Sequence, residues 1–264
     1  MRKYFYIFKS QIMTNLQYIL DVLSGFIGYA IFIFILFQLY SYLYGGGTST
    51  VIKGYTLTQM VWYVVVTEVI WTALGGRKLC SMITEDVKGG NIAYNVNRPY
   101  SYIGYILSYH LGDVVVKGIV YSLLGFTLGF LLMKSIPMLS VTSIIFFLIS
   151  CILANIISIL LITFIGLFAF YIEDSKPFYW MYSKLILVLG TLLPIEFFPK
   201  VVQPILTYLP AYVVSYGPAK LFVDFSINSG IKVLIAQIIY VFVAYGLCAF
   251  IYKKGVKRLN VNGG

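Results

Sequence analysis

The stretch VTSIIFFLISCILANIISILLITFIGLFAF, residues 141–170, decides the fold class, because it runs for thirty residues without a charged side chain. A hydrocarbon core of about 30 Å is crossed by roughly 20 apolar residues in an α-helix, so this segment reads as a membrane span with tilt or interfacial extension. The rest of the chain has the same character. Of 264 residues, 60% are hydrophobic and 11% charged, and the mean hydropathy is +0.90, which excludes a water-soluble domain. Working outward, comparable spans occupy approximately residues 22–44, 56–74, 100–133 and 231–252, and a shorter one occupies 178–193. The expectation is an all-α polytopic membrane protein with six transmembrane helices.

Before the first span, Phe5, Phe8, Ile12, Leu16 and Ile19 recur at three- and four-residue spacing opposite Lys3, Ser10, Thr14, Gln17 and Asp21. That pattern predicts an amphipathic interfacial helix over residues 1–21, ahead of a single transmembrane domain over 22–264. A frayed extension of the first span is the other reading. No small-residue cleavage site ends an apolar run here, so the first helix is expected to insert uncleaved.

The punctuation between spans also fixes topology. Gly45-Gly46-Gly47 closes the first span, Gly75-Gly76-Arg77-Lys78 the second, and Glu173-Asp174-Ser175-Lys176-Pro177 the fourth. Of 19 Lys and Arg, twelve fall at the N-terminus, between the second and third spans, at Lys176, and in the tail Lys253-Lys254-Gly255-Val256-Lys257-Arg258. Only Lys53, Lys134, Lys200, Lys220 and Lys232 fall on the other side. Both termini are therefore expected in the cytosol. The net charge of +10 is scattered at span ends, so it reads as topology rather than nucleic-acid binding. The 24 Tyr and 20 Phe fit the interfaces and the lipid-facing surface. The three cysteines, Cys80, Cys151 and Cys248, form no disulfide or metal framework.

Five of eight prolines, Pro194, Pro199, Pro204, Pro210 and Pro218, punctuate an apolar segment over residues 194–228. Helices so deprived of backbone donors are short, and the expectation is re-entrant extracellular helices before the last span. Glu196, Tyr208, Tyr212 and Tyr216 are candidate external-gate residues in this segment, beside Lys200 and Lys220. A passive cap over the outer surface fits equally.

The chain offers one histidine and no phosphate-binding G-x-x-x-x-G-K-[ST] loop, so neither metal catalysis nor ATP hydrolysis is expected of it. Ionisable residues inside spans are costly and need partners. His110, Asp113 and Lys117 line one helix face by their spacing, and Glu68 is expected to meet Lys117 or Lys184 across helices. These groups fit either a translocation path or helix contact, or a structural ion-pair network. A proton- or ion-coupled secondary transporter using His110, Asp113 and Glu68 is the alternative function.

The most organised polar stretch is SMITEDVKGGNIAYNVNRP, residues 81–99. Glu85 and Asp86 early and Arg98 late suit a short helix, Ile83, Val87, Ile92 and Val96 supply a buried face, and Gly89-Gly90 breaks it; a plain solvated loop is the alternative. Glu85, Gly89 or Gly90, Ile92, Val96, Arg98 and Pro99 make this stretch similar to the cytoplasmic coupling helix of type-2 ABC exporter permeases. The amphipathic start, six spans and proline-rich outer segment extend that resemblance over nearly the whole chain. Asn95 and Asn97 stand where the drug- and viologen-exporting branch tends to carry Leu, so no branch is assigned.

The resemblance implies the permease of an exporter in the bacterial inner membrane, moving a hydrophobic or amphipathic substrate outward. Its implied partners are a cytoplasmic ABC ATPase dimer holding ATP and Mg, with no cofactor in this chain, and a second permease, identical or homologous. The implied ATPase contacts are Glu85, Asp86, Val87, Lys88, Gly89, Gly90, Asn91, Ile92 and Tyr94.

Overall fold

The computed structural model describes residues 2–45, 50–96, 98–137, 139–172 and 174–262. Gly46, Gly47, Asn97 and Glu173, on which parts of the sequence reading fell, lie outside the described residues, as does the side chain of Val96. The described chain is helical almost throughout. Helix α1 (Arg2–Gln17) and helix α2 (Ile19–Leu43) meet at Tyr18, whose φ of −106° and ψ of 38° interrupt the helix. Strands β1 (Val51–Ile52) and β2 (Tyr55–Thr56) form a small antiparallel hairpin that pairs Val51 with Thr56 and Ile52 with Tyr55. Its two turn residues, Lys53 and Gly54, have φ of 53° and 89°, as a tight hairpin turn requires.

Helix α3 (Leu57–Leu74) starts at a capping box in which Thr56 and Gln59 satisfy one another's backbone donors. It is the central helix: from Met60 to Val66 every residue is at most 2% exposed. A helix apolar on all sides finds its minimum inside the bundle, and α2, α6, α7 and α10 surround it. Gly75 is left-handed at φ +57° and turns α3 directly into α4 (Gly76–Lys88). Gly90, also left-handed at φ +74°, turns α4 into α5 (Asn91–Val96).

Helix α6 (Tyr102–Met133) is capped by Ser101, and α7 (Val141–Leu167) by a Ser140/Ser143 capping box. Three polar side chains of α7 bond back to their own helix: Asn155 donates to the Cys151 carbonyl at 2.8 Å, Ser158 to Ala154 at 2.8 Å and Thr163 to Ile159 at 2.6 Å. Such i−4 bonds satisfy a hydroxyl or amide where no water reaches. Helix α11 (Ile227–Asn262) carries the basic tail as helix and packs along α7.

Among the described residues, five helices are long and apolar enough to cross a membrane, beginning at Ile19, Leu57, Tyr102, Val141 and Ile227. Large apolar side chains such as Ile27, Leu123, Ile145 and Phe242 are exposed on them, an arrangement suited to lipid. The sixth expected span, 178–193, takes a different form. Eleven residues of α8 (Lys176–Ile186) are followed by six in a π-helical turn, Leu187–Leu192, before Pro194. Widening the helix frees carbonyls, and remote tyrosines satisfy them: Tyr63 donates to Gly190 at 2.5 Å, and Tyr40 donates to Leu192. The proline-rich segment is broken into a 3₁₀ turn (Ile195–Phe197), α9 (Gln203–Leu206), a second π turn (Tyr212–Tyr216) and α10 (Gly217–Val223). The two π turns pack together where Gly190 leaves room, since a Cβ there would stand 3.0 Å from the Ala211 carbonyl.

Candidate functional site

Three groups of polar residues stand along the bundle, one beyond each end of α3 and one beside it. The first is the α4–α5 limb. Its polar and apolar residues segregate sharply: Leu79, Cys80, Ile83, Thr84 and Val87 are buried, while Arg77, Lys78, Glu85 and Lys88 are exposed. The buried face lies on α7 and α8. Gly166 admits Ile83, as a Cβ at that position would come within 2.9 Å of the Ile83 Cβ. The hydroxyls of Thr84 and Ser175 hydrogen-bond at 2.6 Å and fix α4 to the start of α8.

Beyond Gly90, Ile92 turns back into the same core and is 0% exposed, whereas Tyr94 is 73% exposed. Tyr102 donates to the Asp86 carboxylate at 2.9 Å, and Lys176 stands 4.0 Å from Glu85. The end of the limb is tied to the N-terminus: Tyr4 accepts from the Ser101 amide at 2.9 Å, and Lys3 donates to the Pro99 carbonyl. Of the residues expected to meet an ATPase, Glu85, Lys88, Gly89, Asn91 and Tyr94 are exposed. Val87 and Ile92 are not, because an amphipathic pair of short helices must bury its apolar side chains against the bundle. These two hold the limb in place instead. Gly90, rather than Gly89, supplies the left-handed turn.

The middle group is the expected one on α6, with altered partners. Lys117 pairs with Asp113 at 2.6 Å, one turn apart. Glu68 meets neither Lys117 nor Lys184; it accepts from Thr72 at 3.4 Å. Lys184 instead lies over the Trp180 ring at 5.8 Å. The cause is proximity along the helix, since an i,i+4 carboxylate satisfies Lys117 with no interhelical reach. His110 is 2% exposed, and its ring nitrogens have no partner among the described residues. No hydrogen-bonded relay joins His110, Asp113 and Glu68 among the described residues.

The third group is at the opposite end of α3. Glu196 accepts from Tyr55 at 3.0 Å and from Tyr216 at 2.7 Å, and Lys220 stands 3.1 Å from the same carboxylate. Lys220 also donates to the Tyr55 hydroxyl at 3.1 Å and to Asp224 at 2.7 Å. Burial first, then the neighbouring Tyr216 and Glu196, push the Tyr55 phenol well above its ordinary pKa, so it is a permanent donor. Tyr55 from the hairpin, Tyr216 from the second π turn and Lys220 from α10 thus close on the one carboxylate of the 3₁₀ turn, and Asp224 holds Lys220 from its other side. Of the expected gate residues, Glu196 and Tyr216 belong to this cluster. Tyr212 stacks on Tyr216 at 5.4 Å, and Tyr208 is 80% exposed and outside it. Tyr55 and Asp224 were missed. The signal for Tyr55 was the Lys53-Gly54 pair between apolar residues, a hairpin turn that aims the following side chain.

A family model described as "ABC-2 family transporter protein" matches residues 26–263, nearly the full length. Comparison with curated proteins gives no match.

Proposed function

Because this chain belongs to the ABC-2 transporter family, whose members are transmembrane subunits that work with a separate ATPase, we propose that it is an exporter permease driven through its α4–α5 limb. The observation that carries this reading is the limb itself. It exposes Glu85, Lys88 and Tyr94 on one side, and on the other it is pinned by Ile83, Val87 and Ile92 to helices of the bundle. Its root is continuous with α3 through Gly75. A partner pressing on the limb therefore acts on the central helix, and the limb cannot yield without unseating buried side chains.

In this reading the limb and both termini face the cytosol of a bacterial cell, and two ATPase subunits holding ATP and Mg grip Glu85, Lys88, Gly89, Asn91 and Tyr94. Beside the root of α3, Glu68, Trp71, Thr72, Lys78 and Tyr179 line an open depression of about 720 Å³. A second permease, identical or homologous, would close it into a path. The mixture of aromatic and polar walls suits a hydrophobic or amphipathic substrate moving outward. The Glu196 cluster would hold the outer end shut until ATP binding favours the outward-open arrangement.

The test is purification of the tagged chain in mild detergent with mass spectrometry of what accompanies it. An ATPase subunit should be recovered with wild type and lost with Glu85→Lys combined with Lys88→Glu, while membrane insertion is retained. Recovery of the chain without an ATPase, together with ion-driven flux after reconstitution, would favour a secondary transporter instead.

A further inference from the structure

Between α4 and α8, with Trp71 of α3 in its wall, lies a pocket of about 550 Å³. The acceptors in its lining are already engaged. Asp174 accepts from the Lys176 amide at 3.0 Å, the Ser183 hydroxyl donates to the Trp180 carbonyl at 2.7 Å, and the Cys80 sulfur stands 3.7 Å from the Ser175 hydroxyl. One cation of the lining, Lys176, stands 4.0 Å from Glu85. The remaining polar side chains, Arg77, Lys184, Trp71, Trp180 and Tyr179, have no hydrogen-bonding partner among the described residues; Lys184 only rests over the Trp180 ring at 5.8 Å. Guanidinium, ammonium and indole N–H groups can only donate, and a phenol donates as well as accepts. The unengaged chemistry of the pocket is therefore that of donors, two of them charged.

Such a donor set is complementary to an oxyanion. Among the described residues the lining holds Arg77, Lys176 and Lys184 against the single carboxylate of Asp174, and it stays cationic even when Glu85 is set against Lys176. The ammonium of a zwitterion would add a further cation to that wall. The surroundings narrow the ligand further. Trp180, Lys184 and Val188 follow one another at four-residue spacing from α8 into the π turn; Trp180 is 63% exposed, and the stripe ends at Val188, exposed and apolar. Met181 and Leu185, on the neighbouring stripe, are exposed as well. The pocket thus opens onto a surface suited to lipid, with Trp and Tyr side chains in its wall as at a headgroup interface. We propose that it binds the headgroup of an anionic phospholipid in which the phosphodiester carries the only charge. Arg77 and Lys184 donate to the phosphate oxygens, and the acyl chains lie along Met181, Leu185 and Val188. The bound lipid bridges the root of α4 to α8, alongside the contact between Thr84 and Ser175. This inference stands apart from the transport reading and needs no ATPase.

The experiment is native mass spectrometry of the intact chain released from nanodiscs containing equal parts phosphatidylglycerol, phosphatidylcholine and phosphatidylethanolamine. Wild type should retain phosphatidylglycerol preferentially. Arg77→Gln and Lys184→Gln should each weaken that retention about tenfold, the size expected for losing one charged hydrogen bond, and together they should abolish the preference. Lys200→Gln combined with Lys232→Gln removes the same charge from exposed positions at the opposite end of the bundle and should leave the preference intact. Arg77 and Lys184 are exposed, so folding is preserved, and an unchanged melting temperature in detergent confirms it. Equal retention of the three lipids by wild type overturns the proposal, as does an equal loss in the Lys200 and Lys232 variant, which would assign the preference to overall charge. So does displacement of the lipid by an equal concentration of soluble glycerophosphoglycerol, which would make the ligand a water-soluble anion.

Discussion

Gly90 is the position at which the limb is most sensitive to one added methyl group. Its φ of +74° lies in the left-handed region, while the space around its missing Cβ is open, so no steric contact contributes. An L-residue there costs roughly 1–2 kcal/mol in backbone strain alone. Against this, the seating of α5 rests on Ile92, whose full burial is worth roughly 1.5–3 kcal/mol. Gly90→Ala therefore removes a large part of what holds α5 down, and the docked fraction relative to undocked should fall about 5- to 30-fold. Asn tolerates the left-handed region far better, so Gly90→Asn should stay near wild type. Gly89 has an ordinary φ of −75°, and Gly89→Ala should have the smaller effect although its Cβ would lie 3.0 Å from the Glu85 carbonyl. The assay is hydrogen exchange across residues 91–96, including the Ala93 amide that donates to the Gly90 carbonyl at 3.0 Å. Exchange should accelerate in the order Gly90, Asn, Ala, Val. Equal exchange in Gly90→Asn and Gly90→Ala, or a Gly89→Ala effect as large as Gly90→Ala, would refute a backbone origin.

Three further outcomes follow from contacts elsewhere in the bundle. Tyr216→Phe removes a 2.7 Å bond to the Glu196 carboxylate and should lower stability by about 1.5–3 kcal/mol, seen as a lower melting temperature in detergent; Tyr212→Phe, which loses no side-chain hydrogen bond, should not. Asp113→Asn leaves the Lys117 ammonium without its anion and should destabilise by about 3–5 kcal/mol, whereas Asp113→Leu with Lys117→Met should recover most of that in the same melting assay. At Gly129 a Cβ would meet the Trp62 ring at 3.1 Å, while at Gly28 nothing lies within 4 Å; Gly129→Val should cost about 1–3 kcal/mol by overpacking and Gly28→Ala should be tolerated.

The spans that were legible in the sequence are those whose ends carry local signals. Residues 141–170 resolve into α7 and a 3₁₀ turn, Phe168–Phe170, because the charge-free run and its serine cap both act within a few residues. The segment 178–193 was less legible because its π turn depends on hydroxyls of Tyr63 and Tyr40 in distant helices. Among site residues, Glu196 was legible as a charge in an apolar segment, but its partners Tyr55 and Lys220 come from elements that only folding brings together. Periodicity placed Val87 and Ile92 in a buried face, whereas the family resemblance placed them among the ATPase contacts. Burial assigns them to the core, since each is at most 6% exposed. Glu68 was expected to find a lysine across helices, and the nearer Asp113 had already taken Lys117.

Helix α3 has one further consequence, which is mechanical. At a rise of 1.5 Å per residue its 18 residues form a rod of about 27 Å. One end passes through Gly75 into the limb, and the other begins at the hairpin whose Tyr55 grips Glu196. Tyr63 and Gln59, bonded to the Gly190 and Val223 carbonyls, fasten the rod to both broken segments in the half of the bundle opposite the limb. A rod so clamped gives the two faces of the protein a single shared coordinate. If it tilts, the latch at one end and the handle at the other must move in the same stroke, and no messenger between them is required.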